Sequence, residues 1–186
     1  FIARVDPKDP KDVDYPYYVT AHEVAHQWWA HQVIGGNVQG ATLLSETLSQ
    51  YSALMVMKRK YGAEQMGRFL RYELDRYLGG RSIERNKEMP LLRVENQGYV
   101  HYRKGSLVMY ALQDYLGEDK VNQALASFLR KTAYQQPPFT HSPELIAELR
   151  AVTPEHLRYL IHDFFERITL YENHAVSATA TALPNG

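Results

Sequence analysis

The sequence predicts a mainly α-helical domain with short strand remnants at both ends. Three observations carry that expectation. Apolar residues recur at helical spacing through most of the 186 residues. Glycines follow the periodic runs where helix C-caps belong, at Gly62, Gly79-Gly80 and Gly117. Strand-like alternation is confined to the two ends.

The opening residues Phe1-Ile2-Ala3-Arg4-Val5 read like the end of a strand, and Asp6-Pro7-Lys8-Asp9-Pro10-Lys11-Asp12 follows as a polar loop with two prolines. A first helix is expected over residues 18–31, broken by Gly35-Gly36-Asn37. A second is expected over residues 43–60 and a third over residues 63–78, closed by Gly79-Gly80. Residues 81–98 are polar and irregular. Helices over residues 101–116 and 119–131 come next, the latter with Val121, Ala124, Leu125, Phe128 and Leu129 at helical spacing. After the Gln135-Gln136-Pro137-Pro138 loop, Ser142-Pro143 and Thr153-Pro154 each pair an N-cap with a first-turn proline and start two short helices. Over residues 175–182, Val176, Ala178, Ala180 and Ala182 alternate with Ser177, Thr179 and Thr181, as in the first strand of a following β segment. The division expected is a catalytic part over residues 1–170 and a second segment over 171–186. Neither end carries a packed closure, and both read as cut from a larger parent chain.

Composition narrows the function. Lysines and arginines number 21 and aspartates and glutamates 21, with no long run of one sign, so no cationic face offers itself to nucleic acid. There is no cysteine, which excludes disulfides, thiolate metal sites and a cysteine nucleophile. No stretch approaches the ~20 apolar residues of a membrane helix, so this fragment itself is expected to make no membrane contact.

The chemistry gathers in His22-Glu23-Val24-Ala25-His26. Histidines four apart on a helix share one face, where both imidazoles can bind one ion. Glu23 adjoins the first of them and can reach a metal-activated water without ligating the metal. Zinc lowers the pKa of such a water to about 7, within reach of a carboxylate base. A catalytic zinc site needs a third protein ligand. Glu46 is the candidate, because it lies in an apolar helix start, Leu43-Leu44-Ser45-Glu46-Thr47-Leu48, where a cation would offset its burial. A first-turn glutamate stabilised by the helix dipole is the other reading of Glu46. His31 faces elsewhere. Glu84, Glu88 and Glu95 read as a solvated polar loop, His101 as a residue beside the cleft, and Trp28 and Trp29 as core anchors.

The run Val19-Thr20-Ala21-His22-Glu23-Val24-Ala25-His26-Gln27-Trp28-Trp29 resembles the zinc helix of the aminopeptidase N family, gluzincin metallopeptidases whose helix reads H-E-x-x-H-Q-W. Glu46 matches the family's glutamate ligand, with two departures. Ser45 and Thr47 stand where the family has Asn and Gly, and 19 residues separate His26 from Glu46 where the family has 18. Gly35-Gly36 and Gly40 are places for the extra residue. Val100-His101-Tyr102-Arg103-Lys104-Gly105-Ser106 resembles the family's Y-x-K-G segment, whose tyrosine hydrogen-bonds the oxyanion. The resemblance implies the helical part of a thermolysin-like catalytic fold holding one Zn²⁺ on His22, His26 and Glu46. It also implies Glu23 as general base, Tyr102 as oxyanion donor, and a peptide or protein substrate. The family's amine-binding G-x-M-E-N strand belongs ahead of Phe1. Some bacterial relatives carry the module inside a membrane protein resembling an ABC-transporter permease, so a bacterial, membrane-anchored parent is an expectation too. Two readings compete with zinc-dependent peptide hydrolysis. One is a catalytically impaired metal-binding module serving protein interactions, and the other is a helical interaction domain without metal.

Overall fold

The computed structural model describes residues 5, 6, 8, 9, 11–169 and 176–180. It is mainly helical. α1 (Tyr15–Ala25) carries Pro16 in its first turn, where a missing N–H removes no intrahelical bond. The helix stops at Ala25 and does not reach residue 31. Ala30 adopts φ 105°, and the chain folds back so that Val33 N–H donates to the Trp28 carbonyl at 2.9 Å. A left-handed backbone ends a right-handed helix whatever the apolar spacing beyond it.

Next come a π-helical turn, Leu43–Thr47, α2 (Leu48–Tyr61) and a 3-10 turn, Ala63–Gln65. α3 (Met66–Ile83) runs straight through Gly79-Gly80. Gly80 is a close approach and not a cap. A Cβ there would lie 2.4 Å from the Tyr99 Cβ, so glycine lets the later segment lie on α3. A second π-helical turn, Tyr99–Lys104, leads into α4 (Gly105–Leu116), followed by α5 (Glu118–Thr132) and α6 (Ser142–Val152). A 3-10 turn, α7 (Arg158–Ile161) and a third π-helical turn, His162–Glu166, close the helical body.

Strand structure is nearly absent among the described residues, which hold only the isolated bridges Trp29–Val33 and Gly35–Thr140. Residues 176–180 form no strand, and Val176 is exposed. A strand without a neighbour leaves its backbone groups unpaired, and none is described there. The expected strand over residues 1–4 and the ends of the C-terminal one lie outside the described residues. No described helix is long and apolar enough to cross a membrane.

Two cores hold the helices. Tyr18, Leu54, Met57, Met66 and Phe69 pack where α1, α2 and α3 meet. A larger cluster joins α2 to α4, α5, α6 and the closing turns through residues such as Leu48, Met109, Phe128, Leu149 and Phe165. α2 thus sits between α1 on one side and α4 on the other. That placement brings the start of α2 beside the two histidines of α1. Trp29 is buried as expected of an anchor, but Trp28 is 43% exposed. It lies beyond the end of α1, in the fold-back.

Candidate metal centre

α1 and its C-cap deliver His22 and His26 to one side, and their rings meet edge to face with centroids 4.7 Å apart. The turn Leu43–Thr47 delivers the third group. Glu46 Oε2 lies 3.2 Å from His22 Nε2 and 3.5 Å from His26 Nε2. One possible ligand atom from each residue lies within 4.8 Å of the others. A π turn is in effect a one-residue insertion into an α-helix. Besides the loop glycines, it is a second place to absorb a longer His26–Glu46 spacing, and it sets the direction of the Glu46 side chain.

The tautomers follow from the neighbours. His26 Nδ1 lies 2.9 Å from the Trp29 carbonyl oxygen and 3.0 Å from Ser49 Oγ. A carbonyl only accepts, so Nδ1 carries a hydrogen, which leaves Nε2 as the nitrogen that could ligate an ion. That nitrogen faces the Glu46 carboxylate, as does Nε2 of His22. Zinc bonds of ~2.0–2.1 Å in a tetrahedron put ligand atoms about 3.3–3.4 Å apart. The observed 3.2 and 3.5 Å from Glu46 to the two imidazoles bracket that spacing, and two imidazoles with a carboxylate are a donor set that suits such an ion. His22 is 6% exposed, and its Nδ1 has no hydrogen-bond partner among the described residues.

Tyr102 completes the constellation from the turn Tyr99–Lys104, with its ring 5.7 Å from that of His22. Burial, and then the Glu46 carboxylate beside it, push the Tyr102 phenol up to about 12. Burial raises the Glu46 carboxyl, but hydrogen bonds from His22 and Tyr102 and the two histidines outweigh it. The net is below the ordinary carboxylate range. Burial holds His101 below the usual imidazole range, and its Nδ1 is buried with no partner among the described residues. Glu23 is exposed at the rim. It shares a cleft of about 210 Å³ with His22, Tyr102, Tyr15 and Val19.

The turns bearing Glu46 and Tyr102 are fitted to each other. A Cβ on Gly105 would lie 2.5 Å from Thr47 Oγ1, and Thr47 Oγ1 donates to the His101 carbonyl. The Thr47 and Gly105 positions therefore act as one contact. Glu88, read from sequence as solvated, is 8% exposed; Lys104 and Tyr77 bond its two oxygens. Glu95 is exposed, and Glu84 bonds nearby backbone N–H groups at 2.8 Å. His31 is exposed and its Nδ1 bonds the His26 carbonyl. Sequence reasoning missed Thr47, Ser49 and Glu73. For Glu73 a signal existed, because it stands on the same α3 stripe as Met66, Phe69 and Tyr77.

Two histidines on one helix and a glutamate at the start of the next make a gluzincin-type arrangement. Comparison with known proteins gives the family. Residues 10–166 match the peptidase family M1 domain, and the chain belongs to that family. Human endoplasmic reticulum aminopeptidase 2 is 28% identical over 123 residues, covering 63% of this chain and 13% of that protein. The M1 zinc metallopeptidase from Deinococcus radiodurans shares the fold. A mutant of it bound to a Tyr-Ser-Ala substrate superposes with a TM-score of 0.62 at 21% identity, over 83% of this chain and 34% of that one. Another structure of that enzyme gives 0.60 at 22% identity, over 87% of this chain and 35% of that one. The chain therefore spans about a third or less of the length of these relatives. These matches offer no support for a permease-like parent.

Proposed function

We propose that this chain is the helical part of an aminopeptidase-like zinc peptidase and hydrolyses peptide bonds in a peptide or protein substrate. The convergence of His22, His26 and Glu46 carries the reading, since a base and a phenol stand beside that same point. His22 Nε2, His26 Nε2 and the Glu46 carboxylate would hold the ion. Bound there, zinc supplies Lewis acidity, both toward a water and toward the scissile carbonyl.

The remaining steps belong to the side chains. Glu23 stands exposed at the cleft rim, accepts the proton of the attacking water and returns it to the departing amine. Tyr102 keeps its proton, because its pKa is pushed up to about 12, and so donates a hydrogen bond to the oxyanion as charge develops. Glu46 remains a carboxylate at neutral pH and keeps its charge for the ion. The test is Glu23→Gln. The variant should retain one zinc per chain by metal analysis while hydrolysis falls by about 10²–10⁴-fold, the range of a lost general base. An unchanged rate would refute the assignment.

A further inference from the structure

Glu73 is a fully buried carboxylate beside the cleft, 0% exposed, in the middle of α3. A carboxylate there without partners would carry a heavy desolvation penalty. Three groups meet it. Tyr18 Oη donates to Oε1 at 2.8 Å and Gln50 Nε2 donates to Oε1 at 3.0 Å. One Arg103 guanidinium nitrogen reaches both carboxylate oxygens at 3.2 Å. Gln50 also donates to the Tyr18 hydroxyl at 3.0 Å. These partners come from α1, α2 and the turn Tyr99–Lys104. α1 carries His22 and is capped by His26, α2 continues from the turn that bears Glu46, and the turn Tyr99–Lys104 carries Tyr102.

The turn is fastened on both sides of the phenol. Thr47 holds the His101 carbonyl ahead of it, and Lys104 bonds Glu88 after it. Arg103 lies between, directly next to Tyr102 in sequence. Stability alone does not account for such a pair, because replacing a buried ion pair by well-packed apolar groups is often neutral or stabilising.

We propose that Glu73 is a positioning residue. Through Arg103 it fixes the turn so that the Tyr102 phenol has one place, over His22 and Glu46. Its consequence for catalysis rests on the peptidase reading; its consequence for the position of the ring does not. Glu73 is sealed beneath Tyr18 and Arg103, so it touches no substrate and acts only through its partners.

The experiment uses the zinc-loaded protein and Glu73→Gln, which still accepts the Tyr18 hydrogen bond but loses the charge that holds Arg103. One arm is NMR. The nuclear Overhauser contact between the Tyr102 and His22 rings, whose centroids are 5.7 Å apart, should disappear in the variant. The other arm is hydrolysis of an aminoacyl p-nitroanilide. kcat should fall by about 10–100-fold, the scale of a misplaced catalytic group, with KM little changed. In a Tyr102→Phe background the same substitution should change kcat by less than about twofold, because its target is gone. An unchanged ring contact, or an equal fall in both backgrounds, would overturn the proposal. If Glu73→Gln does not fold, Arg103→Lys answers the same question, since the lysine side chain is one bond shorter and does not carry its nitrogen as far as the guanidinium nitrogen that reaches both oxygens. A zinc-loaded wild type that hydrolyses nothing would sink the peptidase reading alone, and the NMR arm would still decide this one.

Discussion

Adding a methyl group at Gly105 should loosen the protein and its metal site together. An ideal Cβ at Gly105 would lie 2.5 Å from Thr47 Oγ1 and 2.7 Å from Thr47 Cγ2, well inside contact distance. Thr47 is fully buried and cannot swing into solvent. Overpacking of this kind costs about 1–3 kcal/mol. Displacing Thr47 also endangers its bond to the His101 carbonyl, worth about 1 kcal/mol net. Alanine in a helix gains back about 1 kcal/mol over glycine. The balance is a loss of about 1–3 kcal/mol, or roughly 2–12 °C in Tm for a chain of this size. Thermal unfolding of the metal-free protein measures that balance. Zinc competition should show weaker binding, because the strain enters the turn that aims Glu46. Gly79→Ala is the internal control. It has nothing within 4 Å of its added Cβ and should stabilise by up to about 1 kcal/mol. If Gly105→Ala raised Tm as Gly79→Ala does, the fitted contact between the two turns would be refuted.

Three other outcomes can be measured. Tyr102→Phe should lower kcat by about 10²–10³-fold with little change in KM and full zinc content, as for a lost oxyanion donor; equal rates would remove Tyr102 from the chemistry. Ser49→Ala should weaken zinc binding by only about tenfold in a competition titration, the low end for an orienting partner, because the Trp29 carbonyl still holds His26. His101 has a folded pKa below its unfolded value, so the unfolded chain takes up its proton first as pH falls. The stability it contributes is present above about pH 6.5 and is lost below it. Denaturant melts of the metal-free protein at pH 7.5 and 5.5 should therefore differ less in His101→Phe than in wild type.

The helices and the pairing of His22 with His26 were legible because both depend on period. His22 and His26 share a face through helical spacing, and Glu46 stands out as a charge among apolar neighbours at a helix start. What escaped depends on contacts between distant segments. Gly79-Gly80 reads as a helix end in sequence, yet Gly80 is demanded by Tyr99. Glu88 looks like a loop charge until Lys104 and Tyr77 cover it. The fold-back after α1 runs through a left-handed alanine, Ala30, which residue type does not announce. The π turn around Glu46 is a matter of backbone register, which side-chain pattern leaves open.

The fold-back after α1 has one more consequence. The group that sets which nitrogen of His26 would face a bound ion is a main-chain carbonyl, that of residue 29. Any amino acid at that position brings the same oxygen, so mutation of the Trp29 side chain cannot delete it. The orientation of this imidazole is inherited from the path of the chain. Besides loss of Ser49, the changes that would disturb it are those that redirect the backbone near Ala30, where φ is 105°.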